Sequence, residues 1–262
     1  MSIESIPFET YRRRPGLNAH YLFDLLRSPT HAKFNRASDK DSPALAFGRA
    51  FHAAVLEPAE LLNRFIVVPE DIDRRTKAGK EEYAELCASG KTLLSHDDMG
   101  RITDMNRALR QHKVAREALA KIEGIEQSFF WEQGGLPFKA RLDGYGGNCI
   151  VDLKTATDAS ARAFQRSVYT YGYHVQAAHY LEAALAHELN INQVLFVVVE
   201  IAPPYGVAVY RLDEGYLDSA RSAIENAVAL HRECEKTGRW PSYPERVIDL
   251  LCPAWMVSEE SA

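Results

Sequence analysis

Asp143 and Asp152, with Lys154 two residues beyond, are the residues of this chain best placed by type and spacing to do chemistry. They fall in Arg141-Leu-Asp143-Gly-Tyr-Gly-Gly-Asn-Cys-Ile-Val-Asp152-Leu-Lys154, two short β-prone runs around a Gly146-Gly147-Asn148 turn. Glycine and asparagine tolerate the positive φ that a two-residue hairpin loop demands. With Gly147 and Asn148 as the loop, Gly146 faces Cys149, and counting outward along both strands puts Asp143 opposite Asp152. Cβ atoms of such a pair stand about 4.5–5.5 Å apart. Side chains alternate along a strand, so Asp152 and Lys154 share one face while Val151 and Leu153 point to the other. Like charges directly opposed destabilise a sheet unless a cation lies between them. Two carboxylates and an amine on one sheet face are therefore the outline of a metal-dependent phosphodiesterase site. The competing reading is a solvated hairpin with scattered charges, which is what a lone Asp-x-Lys usually is.

Three further features bear on such a site. Pro43-Ala-Leu-Ala-Phe-Gly48-Arg-Ala-Phe-His52-Ala-Ala-Val-Leu-Glu-Pro58 reads as an apolar helix that sets Gly48 and His52 one turn apart on one face. A single histidine amid Ala, Phe and Val is usually a satisfied core residue. Glu126, in Ile-Glu-Gln-Ser-Phe just ahead of the hairpin, reads equally well as an exposed strand carboxylate or as part of the site. Tyr169, Tyr173, Gln176 and Tyr180 fall at helical spacing beside an alanine-rich surface, a stripe more often spent on packing than on a site.

The net charge of −5 looks wrong for a DNA-binding protein, but affinity for phosphates depends on local cationic patches. Candidate patches are Arg12-Arg13-Arg14, the Arg74 to Lys80 segment, Arg141, and Arg162 with Arg166 one helical turn on. Arg12 to Arg14 reads best as a solvated face near a mobile terminus. The segment after Val-Val-Pro-Glu gathers Arg74, Arg75, Lys77 and Lys80 around Thr76 and Gly79, a composition able to hold a strand end or its phosphate.

Taken in chain order, Gly-x-Ala-x-His52, Glu126, Arg-x-Asp143, Asp152-Leu-Lys154-Thr155 and Gln176-x-x-x-Tyr180 resemble the RecB-like branch of the PD-(D/E)xK nucleases, and within it the nuclease domain of RecE, exonuclease VIII. Leu17 to His31, with its Ser28-Pro29-Thr-His31 turn, and Asp73 to Lys80 resemble two more of that family's segments, so the likeness runs from about residue 17 to about 235. The resemblance implies a restriction-endonuclease-like α/β core in which a mixed central sheet with an antiparallel meander is flanked by helices. It implies that His52, Asp143, Asp152 and the Leu153 carbonyl hold a divalent metal, Mg²⁺ first, with Mn²⁺ compatible with an imidazole ligand. Lys154 would position the attacking water or neutralise the transition state, and Glu126 would lie near a second metal or a water. Gln176 and Tyr180 would contact the DNA backbone, and Arg75, Thr76, Lys77, Lys80 and Arg141 are further DNA-binding candidates.

The same resemblance implies 5′ to 3′ digestion of linear double-stranded DNA from its ends, leaving a 3′ single strand for an annealing protein such as RecT. It also implies a homo-oligomer, a ring tetramer around the DNA. Two alternatives remain open: a single-strand or structure-specific nuclease, and an inactive DNA-end-binding module. The intact Asp143, Asp152, Lys154 and His52 speak against the second.

These residues need elements to position them. Leu17 to Arg27, Pro43 to Leu56, Lys77 to Ala88 and Asp97 to Lys121 read as helices from their apolar spacing. Ile125 to Trp131, Leu136 to Tyr145 and Cys149 to Lys154 read as the meander, and Ser160 as the N-cap of a helix running toward Glu188 unless Gly172 interrupts it. Gln193 to Ile201 has the continuous apolar run of a strand covered on both faces, Gly206 to Arg211 hairpins back from Pro203-Pro204, and Leu212 to Lys236 is amphipathic. Residues 1–16 and 240–262 are expected to be irregular tails of a single domain spanning 1–262, the latter marked by Pro241, Pro244 and Pro253.

At 262 residues and 46% hydrophobic the chain can bury a substantial core. No apolar run approaches the roughly 18–20 residues of a membrane span, and Met-Ser-Ile-Glu-Ser-Ile-Pro lacks a secretory pattern, so a cytoplasmic protein with no membrane partner is expected. Cys87, Cys149, Cys234 and Cys252 lie far apart, which argues against a zinc site, a disulfide framework or an iron–sulfur cluster.

Overall fold

The computed structural model describes residues 1–36 and 42–252. The chain opens with β1 (Ser2–Glu4) and α1 (Phe8–Arg13), followed by α2 (Ala19–Arg27), α3 (Pro29–Arg36), α4 (Pro43–Leu56) and α5 (Leu61–Arg64). A small parallel pair, β2 (Phe65–Val67) and β3 (Thr92–Leu94), brackets α6 (Lys77–Ala88). Next, α7 (His96–Gln111) and α8 (Lys113–Leu119) lead into the meander β4 (Gly124–Gln133), β5 (Leu136–Gly146) and β6 (Cys149–Ala156). After α9 (Ala161–Thr170) and α10 (Tyr173–Ala186) come β7 (Gln193–Glu200), β8 (Val207–Arg211) and α11 (Glu214–Thr237).

The main sheet runs β1-β4-β5-β6-β7-β8. All its pairings are antiparallel except β6 with β7, and two parallel neighbours need a crossover, which α9 and α10 supply. Alternation sorts the β7 residues between two cores. Phe196 and Val198 pack with Phe164, Val175 and Ala177 on one side, while Val197 and Val199 pack with Phe51, Met105 and Leu109 on the other. Each such side chain contributes roughly 1.5–3 kcal/mol by leaving water, so the sheet is clamped from both faces. Against it α4 delivers one wall of the site and α10 the other.

The hairpin turn forms as the residues demand, with Gly147 at φ 56° and the register Gly146↔Cys149, Tyr145↔Ile150, Gly144↔Val151. Elsewhere the structure departs from the sequence reading. Residues 1–16 are not a tail: β1 pairs with β4, and α1 is held because the buried Lys139 ammonium donates to the carbonyls of Tyr11, Arg12 and Arg14 at 3.0, 3.0 and 2.7 Å. Arg14 also pairs with Glu4 at 2.5 Å. The helix expected from Leu17 is α2, which starts at Ala19 because the Asn18 side chain accepts the Tyr21 amide, and Leu17 bridges to Phe138 instead.

Asp97 to Lys121 is two helices, His112 ending α7 and capping α8 by accepting the Ala115 amide. The helix expected from Ser160 toward Glu188 breaks at Gly172, whose φ of 70° is left-handed, and Ser160 caps only α9. The elements α3, α5, β2 and β3 were not expected at all. Past α11 the chain to Cys252 has no regular element, yet it is tied down at its start, the Trp240 and Pro241 carbonyls accepting from Thr30. Pro253 lies outside the described residues. Among the described residues no helix is long and apolar enough to cross a membrane.

Candidate active site

The backbone makes room at Asp143 by breaking the sheet on both sides of it. Toward β6 the pairing stops at Gly144↔Val151, one step short of Asp143 and Asp152. There the Asp143 carboxylate, through Oδ2, accepts the Leu153 amide at 2.8 Å, so a side chain takes over from the ladder and the strands part. Toward β4 the pairs Ile125↔Gly144 and Gln127↔Leu142 bracket a skipped step at Glu126 and Asp143. Glu126 sits at φ 50°, a left-handed conformation that costs a side-chain-bearing residue about 1–2 kcal/mol. Arg141 holds it there, with Nε on Glu126 Oε2 at 2.8 Å and Nη1 on Ser128 Oγ and the Ile6 carbonyl at 2.9 and 2.8 Å.

Into this gap α4 brings His52, with Nδ1 3.5 Å from Asp143 Oδ2. One donor atom from each of His52, Glu126 and Asp143 lies within 4.8 Å of the other two. Asp152 is almost wholly buried, its Oδ2 ion-paired with Lys154, while Oδ1 has no hydrogen-bond partner. The Lys154 ammonium also lies 4.7 Å from the centre of the Tyr173 ring.

Burial and then the Asp152 charge push the Asp143 carboxyl up to about 7. Glu126 is raised by burial and then by Asp143, against the pull of Arg141. Burial works against the Lys154 ammonium, yet Asp152 and Asp143 together outweigh it and hold its pKa above the ordinary lysine value. Burial and then Lys154 lower His52, which keeps the imidazole neutral and able to lend a lone pair. Three carboxylates thus crowd against two cations, Lys154 and Arg141, with the orphaned Asp152 Oδ1 and a neutral imidazole among them. A divalent cation is what that donor set lacks, and hard carboxylate oxygens suit Mg²⁺ or Mn²⁺.

The structure regroups the expected residues. It joins Glu126 to His52 and Asp143, where the sequence argument placed Asp152, and sets Asp152 beside Lys154. Gln176 and Tyr180 line the same cleft from α10, the amide donating to the phenol oxygen at 2.8 Å. Arg141 lines it too, with Nε engaged by Glu126 and Nη1 by Ser128 and Ile6, so it positions a carboxylate of the site.

Arg75, Thr76, Lys77 and Lys80 are not among the lining residues. Arg75 folds onto Asp73 at 2.9 Å, Thr76 accepts the Gly79 amide to cap α6, and Lys77 pairs with Glu81 at 3.8 Å. The cleft of about 1190 Å³ is instead walled by Arg12, Arg13 and Arg14, which the sequence reading left to solvent, and by Arg49 and His20, which it passed over. His20 is close enough to feel the Lys154 charge. Arg49 had a signal, lying between Gly48 and His52 on the same helix, whereas the arginine triplet is recruited only by the Lys139 clamp.

Residues 22–249 match the family described as PDDEXK-like domain of unknown function (DUF3799). No curated protein matches the chain. Among solved structures, a candidate exonuclease from Eubacterium rectale is similar with a TM-score of 0.64 at 14% identity, covering 95% of this chain and 97% of that one. A phage-related exonuclease from Haemophilus somnus is similar at 12% identity with a TM-score of 0.36, over 88% of this chain and 100% of that one.

Proposed function

The chain belongs to the PDDEXK-like family and has a restriction-endonuclease-like α/β fold, and from that premise we propose that it is a divalent-metal-dependent nuclease that hydrolyses DNA phosphodiesters from an end. The observation that carries this reading is the convergence of His52, Glu126 and Asp143 beside the buried Asp152–Lys154 ion pair, in which Asp152 Oδ1 has no hydrogen-bond partner. The description of the similar Eubacterium rectale protein as an exonuclease supports attack at an end over attack within a strand.

Asp143, Glu126 and His52 would hold the cation, with the Asp152 carboxylate and the Leu153 carbonyl alongside. When bound, it supplies positive charge to the scissile phosphoryl group and lowers the pKa of an attacking water. The rest is the chain's own work. Lys154, fixed beside Asp152, faces the charge that builds on the phosphorane oxygens, where a preorganised cation in a buried site is worth more than in water. Arg141 keeps Glu126 in its strained position, so no reorganisation is needed when substrate arrives. Gln176 and Tyr180 offer an amide and a phenol to a backbone oxygen, and Arg12, Arg13 and Arg49 give the cleft a cationic wall despite the net charge of −5.

The expected 5′ to 3′ direction on linear double-stranded DNA, the ring tetramer and the RecT-like annealing partner extend the same reading and rest on the family resemblance. The deciding experiment uses an end-labelled linear duplex beside a nicked circle, with Mg²⁺ and with EDTA. Label should be released from the linear duplex, not in EDTA, and Asp152→Ala should abolish release while leaving the fold intact by circular dichroism. Release that survives Asp152→Ala would remove the assignment, and cutting of the circle would favour the structure-specific alternative.

A further inference from the structure

Two exposed tyrosines and two arginines lie outside the active site described above. On α9, Arg162, Arg166 and Tyr169 recur at helical spacing along one solvent-facing side. Arg162 and Arg166 make no hydrogen bond or ion pair among the described residues, unlike Arg64, Arg75, Arg141 and Arg221, each held by a carboxylate. Tyr169 is 80% exposed and Tyr171 60% exposed, large aromatic surfaces to leave in water.

Their position gives the exposure a meaning. Tyr171 packs against Tyr173 with ring centroids 5.7 Å apart, and Tyr173 covers the Lys154 ammonium. Gly172 bends the chain between the two tyrosines, and its left-handed turn abuts the Phe23 ring, so neither neighbour can simply relax away. A line of rings therefore leads from the active-site lysine out to solvent at the end of α9, the helix that carries the two arginines. Cations that follow a phosphate backbone beside aromatic faces for its bases are the physical components of single-strand binding.

We propose that this surface is a track for unpaired DNA, in which Tyr171 and Tyr169 stack on bases of a frayed strand and Arg166 and Arg162 neutralise its phosphates. The occupant is set by continuity with the cleft, because Lys154 lines the cleft and the Tyr173 and Tyr171 rings continue from it to the surface. This rests on the nuclease reading above for its direction of travel, while the binding itself is independent of catalysis.

The test measures binding of fluorescent oligo(dT), and of an abasic oligomer of the same length, to the full chain in EDTA, with cleavage of a labelled duplex assayed separately in Mg²⁺. Tyr169→Ala and Tyr171→Ala should each weaken oligo(dT) binding about tenfold while leaving the abasic oligomer unaffected, and Tyr171→Phe should restore affinity. The Arg162→Ala, Arg166→Ala double variant should weaken both oligomers and flatten the salt dependence.

Wild-type affinity for oligo(dT) in both tyrosine variants would overturn the track, as would absence of oligo(dT) binding by the unaltered chain. So would a Tyr171→Ala variant that changed only the sedimenting mass, since that would make the surface a contact between copies. Loss of oligo(dT) binding in the tyrosine variants of a chain that cleaves no duplex would uphold the track and sink the nuclease reading. Cleavage with unchanged tyrosine variants would do the reverse.

Discussion

Asp143 is the residue on which the site's electrostatics turn. With its pKa raised to about 7 from an ordinary 3.8, the folded chain without metal holds a proton there that the unfolded chain gives up. The sign follows from that difference. Its contribution to stability is complete below the unfolded value and is lost as pH rises through about 7, where an uncompensated charge is left in a buried place. A cation competes with that proton. Mg²⁺ affinity, followed by isothermal titration calorimetry, should therefore rise up to about tenfold per pH unit below pH 7 and level off above it, and a flat profile would show that Asp143 is not a ligand.

Lys154 acts on a different quantity. Lys154→Ala should lower kcat by about 10²–10³ while metal affinity is kept or strengthened, because the lost charge faces the transition state and its removal frees Asp152 Oδ2 for the cation. A variant that instead lost metal binding with little change in kcat would assign the ammonium to holding the carboxylates. Both residues were legible in the sequence because strand alternation alone puts 152 and 154 on one face and hairpin counting puts 143 across from 152. The grouping of Glu126 with His52 was not, since it depends on a left-handed residue and a skipped ladder step that no local pattern announces.

At the scale of elements, the best-read segments are those whose start carries strong chemistry. α4 begins at Pro43 behind a Ser42 cap and α6 at Lys77 behind a Thr76 cap, and both run to the ends expected of them. The misread segments have weak punctuation. His112 is no standard breaker, and apolar spacing runs on through it, so α7 and α8 read as one helix. Gly172 is the instructive middle case: a glycine inside a helical pattern is tolerable, and only the tertiary fit decides. Here a Cβ at 172 would fall 2.6 Å from the Phe23 ring, on top of the left-handed backbone. Gly172→Ala should destabilise the protein by roughly 1–3 kcal/mol, seen as a lower Tm, and should disturb the placement of Tyr171 and Tyr173. An unchanged Tm would mean that the α9–α10 junction has more slack than its contacts indicate.

For the whole molecule, a sheet buried on both faces leaves its open end as the place for chemistry, and the helices that seal the two cores also form the walls of the cleft. The β7 run of Val-Leu-Phe-Val-Val-Val announced that two-sided burial, so the layer arrangement was accessible before any coordinates. What could not be foreseen was that the opening residues belong to it. Lys139 is 5% exposed, and its three donors are taken by carbonyls of residues 11, 12 and 14. Deleting residues 1–14 should therefore cost about 3–5 kcal/mol, the usual penalty of a buried charge left without partners, measurable by chemical denaturation. Lys139→Met in the shortened chain should recover much of the loss, and a shortened chain as stable as the full one would refute the role given to those carbonyls.

That clamp has a practical side for protein engineering. Because the inward-facing amine is what a missing leader would strand, a methionine there should make its loss tolerable, and three arginines could then be pared from the cleft by a single trim. Comparing the trimmed and intact versions would weigh, in one subtraction, how much of the grip on nucleic acid this end of the polypeptide supplies.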